Sequence, residues 1–269
     1  MNTSFEKEQR TAVFEDTVRL LNSNSNLVSL TEKAVNSTKL YMEGFRSENR
    51  PVYNGTEISV IESRSFQAAE RLKSEYKRVA VLNFASAVNP GGGVRNGASA
   101  QEECLCRISN LYPCLMQKRL CEPFYQFHRN LPHKNYSDRI IYSQDVTVFK
   151  TDTENPRYTD NWFSVDIITS PAPNLNGVES PDFNVLRGIF TSRIRNILEV
   201  AMQNGVEALV LGAFGCGAFR NSPVMVSQAF QNVFEVDGYK EYFAKIVFAI
   251  TRSNNTSNGN LVEFKHTFM

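Results

Sequence analysis

Two adjacent carboxylates, Glu102 and Glu103, follow three consecutive glycines, Gly91, Gly92 and Gly93, across a short spacer that ends in Gln101. A second glycine-rich run, LGAFGCGAFRN over residues 211–221, leads straight into Ser222-Pro223, which reads as a helix start with Ser as N-cap and Pro at the first position. Glycine accepts positive φ and lets backbone N–H groups come close to a ligand. Successive N–H groups beside a helix N-terminus make an anion-binding nest, and two such loops at one sheet edge suit a diphosphate. The carboxylates suit general acid–base work. Neighbours in a helix point ~100° apart, so the two need not face one ligand. Nor can adjacent residues flank a sugar at ~5–5.5 or ~6.5–9.5 Å, as paired glycosidase carboxylates do. Ser99 and Glu102 also have the spacing of a capping box ahead of the apolar series Leu105, Ile108, Leu111. On that reading Glu102 ties back to the Ser99 N–H and Glu103 only complements the helix dipole. The residues alone leave both readings open. No GxxxxGK[ST] run is present, and the glycine triplet does not fit a GxGxxG dinucleotide fingerprint.

The elements that must position these loops follow from periodicity. Residues 5–21 have helical spacing through Val13, Phe14, Val18 and Leu21. Residues 58–61 read as a strand and 65–72 as a helix. The run VAVLNF (79–84) is a strand covered on both faces. Residues 139–149 predict two short strands, 163–169 (FSVDIIT) another, and 184–202 a helix with one apolar stripe. Residues 208–211 form a buried strand, a helix follows to about Val236, and residues 246–250 supply the closing strand. Strands alternating with helices predict an α/β fold, a three-layer α/β/α sandwich around a mixed, mostly parallel sheet of six strands. Ligands bind such sheets beyond the carboxyl ends of the strands, where both glycine loops fall. The expected organisation is a helical extension over residues 1–50 packed on one globular catalytic unit over residues 51–269.

Composition narrows the class. The chain has 269 residues, 42% of them hydrophobic, and 29 Lys+Arg against 28 Asp+Glu, a net charge of +1. No global basic field exists to gather nucleic acid or anionic membrane, so an anionic ligand needs a local device. The opening MNTSFEKEQR has no apolar stretch able to act as a signal peptide. The longest apolar run, residues 208–219, is too short to span a bilayer. Five cysteines fit reduced thiols. A cytoplasmic protein without membrane association is expected. Residues 253–260 read as a polar loop.

The segment NFASAVNPGGGVRNGASAQEE (83–103), with LGAFGCGAFRN, resembles the signature of poly(ADP-ribose) glycohydrolases of the microbial type, a catalytic macrodomain family. The likeness runs from the N-terminal helix to Ile250. It implies that Glu103 is the catalytic acid/base and that Glu102 orients the ribose beside it. It also implies that Gly91, Gly92 and Gly93 wrap the ribose and diphosphate, with Gln101 completing the triplet before the site. Gly215, Cys216, Gly217, Ala218 and Phe219 would form the second diphosphate loop, Phe219 packing against the ligand, and Asn83 and Asn89 would meet ribose hydroxyls. Residues 170–174 are expected to form part of the adenine wall. The implied reaction breaks ribose–ribose bonds of poly(ADP-ribose) to release ADP-ribose, needs no cofactor or metal, takes ADP-ribosylated proteins as substrates, and is carried out by a monomer. The alternatives are a non-catalytic ADP-ribose reader and a mono-ADP-ribosyl hydrolase. The reader has no need of Gln101-Glu102-Glu103.

Other candidates carry less. Cys104, Cys106, Cys114 and Cys121, with His128 and His133, lack the paired spacing of a zinc module. Cys216 has no neighbouring His to activate it as a nucleophile. Phe124, Tyr125, Phe127 and His128 read as local core, and Lys118 and Arg119 as a solvated face able to steer an anionic polymer.

Overall fold

The computed structural model describes residues 3–252 and 259–269. The chain opens with α1 (Thr3–Ser23) and α2 (Ser25–Ser37), and Asn24 caps the second by accepting from the N–H groups of Asn26 and Leu27. Then come β1 (Lys39–Tyr41), β2 (Glu57–Glu62), α3 (Ser65–Lys73), β3 (Val79–Phe84) and α4 (Gln101–Ile108). Short helical turns α5 (Leu111–Leu115), α6 (Lys118–Leu120) and α7 (Phe127–Arg129) lead to β4 (Ile140–Lys150) and β5 (Tyr158–Ser170). The chain continues through α8 (Phe183–Gln203), β6 (Ala208–Leu211), α9 (Pro223–Glu235), β7 (Lys245–Ile250) and α10 (Gly259–Phe268).

The sheet has seven strands in the order β1-β4-β5-β3-β6-β7-β2. β5, β3, β6, β7 and β2 run parallel, and β4 is antiparallel to both its neighbours. The mixed, mostly parallel α/β/α expectation holds. Strand alternation divides the core. Ala80 and Leu82 of β3 join Phe190, Ile194, Phe230 and Phe264 on the face covered by α8, α9 and α10. Val79 and Val81 join Phe14, Ala34, Phe66, Leu105 and Tyr112 on the face covered by α1 to α5. Burial on both faces is why β3 reads as a continuous apolar run.

Some expectations need correction. Residues 139–149 form one strand, not two. It is bent where the register with β5 shifts between Ser143 and Val146, and there Asp145 takes φ 55° and its N–H donates to Asp166. The segment FSVDIIT is the end of the longer β5. The strand at 246–250 does not close the fold, because α10 follows it and packs Leu261 and Phe264 into the core. Of the polar loop expected at 253–260, residues 253–258 lie outside the described residues and Gly259 and Asn260 begin α10. The seventh strand is β1, which lies within residues 1–50 and pairs with β4 at the sheet edge.

Candidate active site

The carboxyl ends of β2, β3, β6 and β7 open into a cavity of about 690 Å³. Its wall includes Arg64 and Ser65 after β2, Ser86, Asn89, Gly92 and Gly93 after β3, the first turn of α4, and Gly215, Gly217, Ala218 and Phe219 after β6.

The predicted capping box does not form. Ala100 is the N-cap of α4 and no side chain caps it. Glu102 instead turns toward the end of β3, where Oε2 accepts the Ser86 N–H at 2.7 Å and Oε1 accepts Asn83 Nδ2 at 3.3 Å. The carboxylate, itself buried, meets a backbone donor across the loop in place of the local cap. Glu103 Oε1 accepts the Gly93 N–H at 2.8 Å, while its other oxygen, Oε2, is buried without a partner. Both side chains are buried, at 2% and 7% exposure, and both line the cavity. They meet at Gly92. With φ at 58°, a Cβ there would run into Glu103 Oε1 and lie 3.2 Å from Glu102 Oε2. Adjacent residues thus serve one point because a positive-φ glycine fits between their carboxylates.

Burial, opposed by the Ser86 donor and reinforced by the Glu103 carboxylate, pushes Glu102 up to about 8. The folded chain therefore keeps a proton on Glu102 where the unfolded chain has lost it. Its contribution to stability is full below the ordinary carboxylate value of 4.5 and is lost as pH rises toward 8. Glu102→Gln, which stays neutral, should gain melting temperature relative to the native chain steadily from pH 5 to pH 8. A gap that stays constant over that range contradicts the assignment.

Gln101 lines the cavity, but its amide is committed within the protein. Oε1 accepts the Phe84 N–H at 2.9 Å, and Nε2 donates to Leu82 O at 2.8 Å and Ser65 Oγ at 3.1 Å. It fastens α4 to β3. Asn83 is fully buried, off the cavity wall, and also donates to Thr169 Oγ1 at 3.2 Å. It holds Glu102. Asn89 is exposed at the wall, and its carbonyl accepts the Gly92 N–H at 2.9 Å.

The two loops have different jobs. In the first, the N–H groups of Ser86 and Gly93 go to the carboxylates and that of Gly92 to Asn89. In the second, the N–H groups of Gly215, Gly217, Ala218 and Phe219 meet no acceptor among the described residues, and all four residues line the cavity. The first loop aims the acids; the second offers open donors to an anion. The Cys216 N–H is taken by Ala213 O at 3.1 Å, and burial pushes its thiol up. Residues 170–174 lie off the cavity wall, with Ala172 packed beneath Gly215.

Sequence reading missed what braces the first loop. Arg10 of α1 donates from Nε to Gly97 O at 2.6 Å, and buried Arg107 donates to Ala98 O at 2.5 Å. Tyr112 covers Gly91 so closely that a Cβ there would lie 2.6 Å from its ring. Phe14 meets that ring edge-on at 5.0 Å, and Arg95 Nε donates to the Tyr112 hydroxyl at 2.7 Å. Arg64, Asp152 and Thr251 on the cavity wall were likewise not foreseen. Elsewhere, Cys106 and Cys114 are buried, and burial pushes Cys114 up to about 11. His128 sits among Phe124, Phe127 and Tyr136, where burial and the nearby Arg193 hold it down to about 4. Among the described residues no group of three His, Cys, Asp or Glu is placed to hold a metal ion, and no helix is long and apolar enough to cross a membrane.

Fold and site together define a class: a macrodomain-like α/β/α domain with a buried acid pair at the end of its central strand, facing a loop of open N–H groups. Residues 9–151 match the family model for the microbial-type poly(ADP-ribose) glycohydrolase (PARG) catalytic domain, and the chain belongs to that family. It is similar to the crystal structure of PARG from Thermomonospora curvata, at 32% identity and TM-score 0.84, covering 97% of this chain and 100% of that one. The same enzyme bound to the inhibitor ADP-HPD matches at 33% identity and TM-score 0.82, with the same coverage. PARG from Deinococcus radiodurans in complex with ADP-ribose matches at 32% identity and TM-score 0.77, covering 88% of this chain and 96% of that one. No curated protein matches the chain.

Proposed function

We propose that this chain hydrolyses the ribose–ribose bonds of poly(ADP-ribose), releasing ADP-ribose, with Glu103 giving and then taking the proton. The observation that carries the mechanism is the free oxygen of Glu103. Three of the pair's four oxygens are engaged by the Gly93 N–H, the Ser86 N–H and the Asn83 amide, and Glu103 Oε2 alone is buried without a partner, on a residue that lines the cavity. Glu103 Oε2 presents the proton that the reaction needs, beside a Glu102 that burial keeps neutral at pH 7. As the bond from C1″ to the 2′-oxygen of the next ribose breaks, that oxygen takes the proton and C1″ becomes oxocarbenium-like. Ionised Glu103 then accepts a proton from water, whose oxygen bonds to C1″. One group serves both steps, so the ~5 Å spacing of a nucleophile pair is not required. The open N–H groups of the second loop hold the diphosphate, whose charge stabilises the cation, Phe219 packs on the ligand, and Asn89 meets a ribose hydroxyl. Five free cysteines accord with a cytoplasmic setting.

Ligand-induced stabilisation tests the cradle. ADP-ribose at one hundred times its Kd should stabilise the fold by about 2.7 kcal/mol, a melting shift on the order of 5–10 °C for a domain of this size. AMP, which lacks the second phosphate and the distal ribose, should shift it less, as should NAD, which carries a nicotinamide at C1″. An equal response to AMP means that the site reads only the adenosine end.

A further inference from the structure

We propose that Arg129 and Lys134 form a cationic rim that receives the diphosphate of the next ADP-ribose unit of the polymer, beyond the bond that Glu103 cleaves; this rests on the poly(ADP-ribose) reading above. The substrate carries a diphosphate in every repeat, whereas the chain has a net charge of +1. No field of the whole molecule gathers such a polymer, so placed cations must do so.

Arg129, exposed at the end of α7, donates from Nη2 to the carbonyl of Val88, the residue before Asn89 at the cavity wall. Lys134, exposed a few residues on, reaches Asn176 O at 3.4 Å, and its own carbonyl accepts the Asn174 N–H at 2.9 Å. Asn176 Nδ2 in turn donates to Ala218 O at 2.7 Å, in the second glycine loop. One short segment thus sets a guanidinium against the first loop and an ammonium against the support of the second. Arg220, exposed beside Phe219, extends the same edge.

None of these three cations joins an ion pair among the described residues. Asp138, farther along the segment, is occupied by Arg193 and Ser192. Arg64, the cation on the cavity wall itself, has Asp152 and Glu154 at 3.9 Å. Arg119, singled out from sequence for steering, lays its guanidinium on the carbonyls of Val35 and Thr38 at the end of α2. With the terminal diphosphate on the second loop and C1″ at Glu103, the next unit leaves over the edge where the two loops approach. Arg129 and Lys134 stand there with their charge uncompensated.

The test compares the native chain with Arg129→Gln/Lys134→Gln. Free ADP-ribose affinity, read by calorimetry, should stay within about twofold, because the first unit does not reach the rim. On poly(ADP-ribose) at low ionic strength, kcat/KM should fall about tenfold, the lower end of electrostatic steering effects. The gap should close at about 0.5 M salt, where charges are screened within a few ångströms. Unchanged kcat/KM at low salt overturns the rim while leaving the glycohydrolase reading intact. Loss of ADP-ribose affinity equal to the loss on polymer also overturns it, placing these residues in the first subsite or in loop support. A native chain that releases no ADP-ribose overturns the parent reading, and the rim with it.

Discussion

Glu103→Gln should lose nearly all turnover of poly(ADP-ribose) while keeping ADP-ribose affinity within about tenfold. Gln retains an oxygen for the Gly93 N–H, which Glu103 Oε1 accepts at 2.8 Å, so the first loop keeps its anchor. What disappears is a titratable group at the free position, where Oε2 has no partner. Removing general acid–base catalysis costs ~10²–10⁴ in rate, and one residue covering both proton transfers puts the loss at the upper end. Initial rates with saturating polymer, paired with calorimetry on ADP-ribose, check both halves. More than a tenth of native activity in the variant removes Glu103 from the chemistry.

Gly92→Ala should lower turnover about a hundredfold without unfolding the chain. Its Cβ would collide with Glu103 Oε1 and crowd Glu102 Oε2 at 3.2 Å, so both carboxylates must shift. Misplacing catalytic groups by ~1 Å costs about 10² in rate. A left-handed L residue adds roughly 1–2 kcal/mol of strain, which a domain of this size survives. The second loop behaves differently. Gly217 lies in open space with an ordinary φ, so Gly217→Val should fold as well as the native chain and weaken only ADP-ribose binding by screening the open N–H groups. Gly215 is the intolerant position there, at φ 75° with a Cβ site 2.5 Å from the Ala172 methyl. Melting curves and ADP-ribose calorimetry on these variants separate the cases. Native turnover in Gly92→Ala would refute the shared meeting point of the two acids.

The parts of this molecule legible in sequence are those whose signal is carried by side chains along one element. VAVLNF and ALVL are apolar on both faces because they are central strands. The α8 stripe from Leu186 to Met202 is periodic because one face meets the core. β1 was illegible: three residues at a sheet edge carry no period, and its place is set by pairing with β4. The site divides in the same way. Glu102, Glu103 and the glycines are visible as residue types, but their partners Ser86 and Gly93 act through backbone N–H groups, which every residue has. Ser99 and Glu102 satisfy a local capping rule that the backbone donor of Ser86 overrides. Arg10 and Tyr112 are far from the loop in sequence, and only the packing of α1 and α5 brings them to it.

The central claim is that the acid pair cleaves the polymer from a site that binds one ADP-ribose unit. The most direct measurement incubates the native chain and Glu103→Gln with poly(ADP-ribose) of defined length and resolves the products by chromatography. The predicted result is monomeric ADP-ribose accumulating as the polymer shortens with the native chain, and polymer of unchanged length with the variant. Polymer that is bound by the native chain yet keeps its full length would contradict the account and make this chain a reader of ADP-ribose.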